Sequence, residues 1–198
     1  MRVSSIFIPD DEARTLMSEM RLFSARRAPP PLPPAPIVAA LARDERLERW
    51  RSLTLEGNIA IEQRQGVRSR QLYEEALAVA DALLAEALLE NTWLAGNPQA
   101  LALAPLLHGI TCNNIVGLAR LQGDRETAGI YLYRRAASLI AVVESPRAPL
   151  ELRSRCLMHL EIASSGVYEY FEQDGMWDAA AAFSERVNAA LFTLQRVE

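Results

Sequence analysis

The sequence LQGDR at residues 121–125 decides the fold class of this chain. It is a short polar break that separates an apolar helical pattern from a second one rich in Ala and Leu, which contains Ala128 and Leu132. Two similar breaks occur elsewhere, at residues 62–67 and at residues 173–177. Helix pairs of this kind, stacked side by side, bury a continuous core and leave a grooved surface. The pattern therefore favours a binding protein.

The periodicity of apolar residues predicts an all-α chain, because no segment alternates with a period of two for long enough to form a strand. Pro105 is expected to kink the third helix or to set its start, and Gly66 is expected to end the first helix. The six predicted helices cover residues 38–65, 69–94, 99–121, 124–143, 149–173 and 176–196.

The first 36 residues differ from the rest. Six prolines occur in the eight residues 29–36, which cannot continue a helix and favour an extended spacer. A ligand for a proline-recognising groove is the alternative interpretation of this segment. We therefore predict an N-terminal arm with a proline-rich spacer over residues 1–36 and a helical domain over residues 37–198.

The amino-acid composition argues against several classes of function. The net charge of −4 and a pI near 5.4 argue against a nucleic-acid-binding surface. All 21 basic residues are Arg, so Schiff-base lysines and a phosphate-loop lysine are excluded. Cys112 and Cys156 are far apart and lack a CxxC partner, which indicates core residues in a reducing compartment.

No export signal is visible, and the longest uncharged stretch, residues 91–119, is interrupted by Gly, Pro and Asn. We therefore expect no membrane span and a cytoplasmic location.

Specific residues in the helical units resemble the tetratricopeptide repeat. Gly57 to Ala60, followed by Tyr73 and Ala76, matches the family pattern at the right spacing. The second and third units offer Val116 and Tyr168 where the first has Gly57, at intervals longer than the roughly 34 residues of the family. The resemblance implies stacked antiparallel helix hairpins in a right-handed superhelix, with a groove lined by the first, third and fifth helices.

The same resemblance implies a partner-binding site. Asn58 and Asn114 fall where the first helices of such repeats place asparagines that hold a peptide backbone. The lysines that would hold a terminal carboxylate are absent. The expected polar groove is formed by Asn58, Glu62, Asn113, Asn114 and Arg120. The alternative is that the asparagines tie the third helix to a neighbour.

Only one pair of residues suggests a catalytic function. His108 and Cys112 are separated by four residues, so they share a helical face and could form half a metal site or a nucleophile pair. A buried histidine beside a core cysteine explains the same spacing. We expect neither metal nor cofactor.

The predicted function is a protein–protein interaction module or adaptor that docks a partner peptide or helix. The alternatives are a bacterial secretion-type chaperone of the same architecture, a small helical enzyme using Cys112 and His108, and a self-associating structural subunit.

Overall fold

The computed structural model describes residues 44–89 and 98–195 of the chain. Within these two stretches every regular element is an α-helix, which confirms the predicted all-α class for this part. The predicted arm and spacer, residues 1–36, lie outside it. The helices are α1 (Glu45–Glu62), α2 (Gly66–Ala87), α3 (Pro98–Gln122), α4 (Arg125–Glu144), α5 (Leu150–Gln173) and α6 (Trp177–Gln195).

The first helix begins at Glu45, not near Val38 as the sequence pattern predicts. Asp44 is its N-cap: the backbone is extended (φ −110°, ψ 106°), and the carboxylate accepts the Arg46 N–H at 3.0 Å. The Arg46 guanidinium then pairs with Asp44 at 2.9 Å and with Glu86 at 2.5 Å. The start of α1 is thereby joined to the end of α2.

We expect Asp44→Ala to lower the free energy of unfolding by about 1 kcal/mol, because it removes this cap. The side-chain hydrogen bond from Arg46 lowers the pKa of the Asp44 carboxyl. The stabilisation is therefore complete above the unfolded-state pKa of about 3.9 and is lost as the pH falls through the lower folded-state value. Urea unfolding of both proteins at neutral pH and at about pH 3 checks this. An equal difference at both pH values would contradict the assignment.

The turn between α1 and α2 corrects the sequence expectation. Arg64, and not Gly66, takes the left-handed conformation (φ 61°), and Gly66 is the first residue of α2. A Cβ atom at Gly66 would lie 2.7 Å from Nε2 of Gln122, the end of an exposed and flexible side chain. At its other end α2 stops at Ala87, short of the predicted Leu94.

The third helix continues through Pro105, which lies inside α3 and does not set its start. Residues 101–122 are long and apolar enough to cross a membrane, with a mean hydropathy of 1.4, but 61% of that window is buried within the protein. Core helices of soluble proteins have the same combination of length, composition and burial, so this helix is weak evidence for a span.

The other boundaries agree with the predicted ones to within one residue. Gly123 (φ 72°) and Gly175 (φ 67°) make the turns before α4 and α6, where an L-residue would be strained. Asp124 caps α4 by accepting the Thr127 N–H at 3.0 Å. Two of the three breaks in the sequence therefore have the chemistry of a glycine-terminated turn.

Helices that are consecutive in the chain pack most extensively, from α1 on α2 through to α4 on α5, and α6 packs on both α5 and α4. Contact between α1 and α3 is small. It includes a hydrogen bond of 2.8 Å from Nε1 of Trp50 to Oγ1 of Thr111.

An aromatic cluster joins the last three helices. Phe183 of α6 contacts Tyr133, Tyr168 and Phe171, with ring centroids 5.8, 5.3 and 6.3 Å away. Trp177, at the start of α6, is 63% exposed. Phe183 lies six residues, or about 1.7 turns, further along α6 and is buried against α5 and α4.

Candidate functional site

The two predicted site residues on α1 lie on its surface. Asn58 and Glu62 are both exposed. The Asn58 side-chain oxygen accepts the Tyr73 hydroxyl at 2.5 Å, which fixes the amide toward α2. Burial raises the pKa of Tyr73, so the phenol stays protonated and able to donate.

The two predicted residues in the middle of α3 have different surroundings. Asn113 is half-buried and accepts a hydrogen bond of 3.0 Å from NH1 of Arg135. This contact ties α3 to α4, as the alternative interpretation of the asparagines expects for this residue. Asn114 is also half-buried.

Arg120, the last predicted residue, lines a cleft of about 250 Å³ between the end of α3, the start of α4 and the end of α5. In this cleft Arg125 forms an ion pair with Asp174, and Gln173 donates to Glu169 at 3.1 Å. Its lining residues are Arg120, Gly123, Arg125, Ala128, Leu132, Glu169, Tyr170 and Gln173.

The five predicted residues lie on two helices, Asn58 and Glu62 on α1 and Asn113, Asn114 and Arg120 on α3. Asn58 bonds to α2, Asn113 to α4, and Arg120 lines the cleft beside α5. Among the described residues no hydrogen bond or ion pair joins any two of the five. A partner that contacts all of them would have to extend across α1 and α3.

Sequence reasoning missed a pattern of exposed apolar side chains on the first helices of two hairpins. On α1, Leu55 and Ile59 are 58% and 42% exposed; on α5, Met158 and Ile162 are 63% and 44% exposed. Each pair flanks a buried residue, Gly57 or Leu160, at a distance of two positions. Two positions are about 200° around a helix, so each pair lies opposite the core-facing side. The i, i+4 spacing was readable in the sequence, but nothing there says which side of the helix is covered.

A buried polar network surrounds His108. Its Nδ1 lies 3.0 Å from Oγ of Ser138, and its Nε2 lies 3.3 Å from the Asp81 carboxylate. Asp81 in turn accepts from Arg134 at 2.5 Å. The three residue types are those of a serine-hydrolase triad, yet Ser138 donates its hydroxyl to the Arg135 carbonyl at 2.8 Å, and the imidazole is only 1% exposed. The network connects α2, α3 and α4 and is best described as structural.

The surroundings of Cys112 do not activate its thiol as a nucleophile. Cys112 lies 3.8 Å from His108 Nδ1 and is fully buried. Burial raises the pKa of its thiol to about 12, so the reactive thiolate is scarce at neutral pH. Within residues 44–89 and 98–195, no group of three or more His, Cys, Asp or Glu side chains is placed to hold a metal ion.

Over residues 44–89 and 98–195 these features define a helical protein in which some large apolar side chains are left uncovered. The chain belongs to the family described as "Protein of unknown function (DUF2753)", whose model matches residues 48–193. That range extends from α1 into α6. No curated protein and no solved structure matches the chain.

Proposed function

We propose that this chain is a protein interaction module that docks an apolar segment of a partner protein on the outer sides of α1, α3 and α5. In a tetratricopeptide-like stack the first helices of successive hairpins share one side. The order of helix packing, with each helix against the next along the chain, is compatible with such a stack.

The observation that carries the proposal is the uncovered apolar pair on each of α1 and α5. Leu55 with Ile59, and Met158 with Ile162, each expose two large side chains at i, i+4. On α3, Leu106 is 44% exposed. Scattered single apolar residues are normal on a surface, whereas paired ones on a helix face are typical of an interaction site.

We expect Ile59→Glu combined with Ile162→Glu to weaken partner binding by about tenfold or more, because two carboxylates would replace apolar contact area. The probe is a fluorescently labelled peptide selected from a random peptide library displayed on phage against the full chain. Affinity is measured by fluorescence anisotropy for each variant.

Ile130→Glu is the matched control. Ile130 is 56% exposed, but it lies on α4, which does not belong to the proposed docking surface. It should bind the peptide as the unchanged protein does, and circular dichroism should show that all three proteins retain their helical content. Equal binding by the double variant and the unchanged protein for every selected peptide would overturn the proposal.

A further inference from the structure

Arg135 of α4 places a guanidinium group against α3. Its NH1 donates to the Asn113 side-chain oxygen at 3.0 Å, while its Nε is buried and has no hydrogen-bond partner. Gly109 of α3 lies beside it, since a Cβ atom there would be 3.5 Å from that Nε, an ordinary van der Waals distance. One donor of the guanidinium is therefore withdrawn from water and left without an acceptor.

The charge of Arg135 is also uncompensated. Two other arginines of α4 have carboxylate partners: Arg134 pairs with Asp81, and Arg125 pairs with Asp174. In the part of the chain that the structure describes, no carboxylate lies within ion-pair distance of Arg135. Burial lowers the pKa of its guanidinium. A half-buried cation without a counter-ion is destabilising, so the site favours an added anion.

The surroundings of Arg135 are apolar and partly exposed. On α5 the pKa of His159 is lowered by burial and by the positive charge of Arg135, which puts the two side chains within electrostatic range. Met158 and Ile162, one residue before and three after His159, are exposed. Leu106 lies three residues before Gly109 on α3 and is also exposed. Large apolar side chains therefore flank the residues that surround this cation.

We propose that Arg135 is an anion-binding residue that accepts an Asp or Glu carboxylate from the docked partner, on a segment in which apolar residues flank the acidic one. This inference rests on the proposed function and adds the chemistry of the segment. A guanidinium binds a carboxylate through charge-assisted hydrogen bonds.

A polyanion such as nucleic acid fits less well. Residues 52–198 carry twelve arginines against eighteen acidic residues, and this excess of negative charge repels an extended array of phosphates. A single carboxylate at one cation among apolar contacts avoids that repulsion.

The first test needs no partner and uses acetate as the probe. The side-chain Nε–H signal of Arg135 is followed in ¹H–¹⁵N spectra of the full chain and is assigned by its loss in Arg135→Gln. We expect the signal to move with acetate and not with chloride at equal ionic strength. A signal that does not respond to acetate would overturn the inference.

The second test uses the peptides selected above. Replacing their acidic residue by its amide should weaken binding to the unchanged protein about tenfold and to Arg135→Gln by less than about twofold. Arg68→Gln, at an exposed cation of α2, should behave as the unchanged protein does. If the amide peptide loses the same affinity for the unchanged protein and for Arg135→Gln, a direct contact between Arg135 and the acidic residue is contradicted.

The outcomes separate the two proposals. Peptides that need Ile59 and Ile162 but no acidic residue would overturn the anion site and leave the proposed function in place. If no peptide depends on Ile59 and Ile162, the proposed function fails, and the acetate titration alone decides whether Arg135 binds anions.

Stability provides a final check. Arg135→Gln keeps an amide that can donate to Asn113 and removes the uncompensated charge, so the free energy of unfolding should stay constant or rise. A marked loss of stability would show that the positive charge of Arg135 stabilises the chain, which contradicts an uncompensated cation.

Discussion

Phe183→Ala is expected to lower the free energy of unfolding by about 3–5 kcal/mol, the range for removing a fully buried phenylalanine ring. The side chain is 3% exposed and contacts three aromatic rings on α4 and α5. Its removal would leave a cavity at the place where α6 joins the rest of the helices. The neighbouring rings belong to separate helices, so they can close the space only if the helices move.

Urea unfolding followed by circular dichroism measures this loss. Leu121→Ala is the control, because Leu121 is 76% exposed and its removal should change the free energy of unfolding by less than about 0.5 kcal/mol. Equal effects of the two substitutions would mean that Phe183 is not the residue that anchors α6. A smaller loss of the free energy of unfolding, together with a smaller slope of that free energy against urea concentration, would instead indicate that α6 unfolds separately.

Gly57→Ala is expected to destabilise the protein by about 1–3 kcal/mol, the usual cost of overfilling a packed site, offset in part by the better helix propensity of Ala. A Cβ atom at Gly57 would lie 2.5 Å from Cε1 and 2.8 Å from Cδ1 of Tyr73. The Tyr73 ring cannot swing away easily, since it is 1% exposed and its hydroxyl is bonded to Asn58.

Gly117→Ala is the matched control on α3. No atom lies within 4 Å of a Cβ atom built at Gly117, so only the helix propensity changes, and stability should rise by about 0.5–1 kcal/mol. The test is that Gly57→Ala lowers the free energy of unfolding whereas Gly117→Ala raises it. A stabilising Gly57→Ala would contradict the close contact between α1 and Tyr73.

The helices were predictable because their signals are local. Gly123 and Gly175 mark two turns in which only the backbone freedom of glycine matters, and the boundaries on either side follow to within one residue. The expected end of the first helix is wrong because the left-handed residue of its turn is Arg64, a non-glycine residue that the sequence pattern does not single out.

The candidate site was less predictable. Asn113 belongs to the predicted polar groove, but the sequence does not show that its side chain bonds to Arg135 on the next helix. The half-burial of Arg135 depends on the approach of α3 and α4, which periodicity cannot supply.

The sequence by itself determined that the chain is helical and where most helices stop, since hydrogen bonding within a helix and the backbone freedom of glycine depend on nearby residues alone. Only the tertiary structure decided that Phe183 is covered while Trp177 is exposed, and that Arg135 is left without a carboxylate. The physical reason is that burial and charge compensation depend on contacts between side chains that are distant in the sequence, and these contacts are set by how the helices pack.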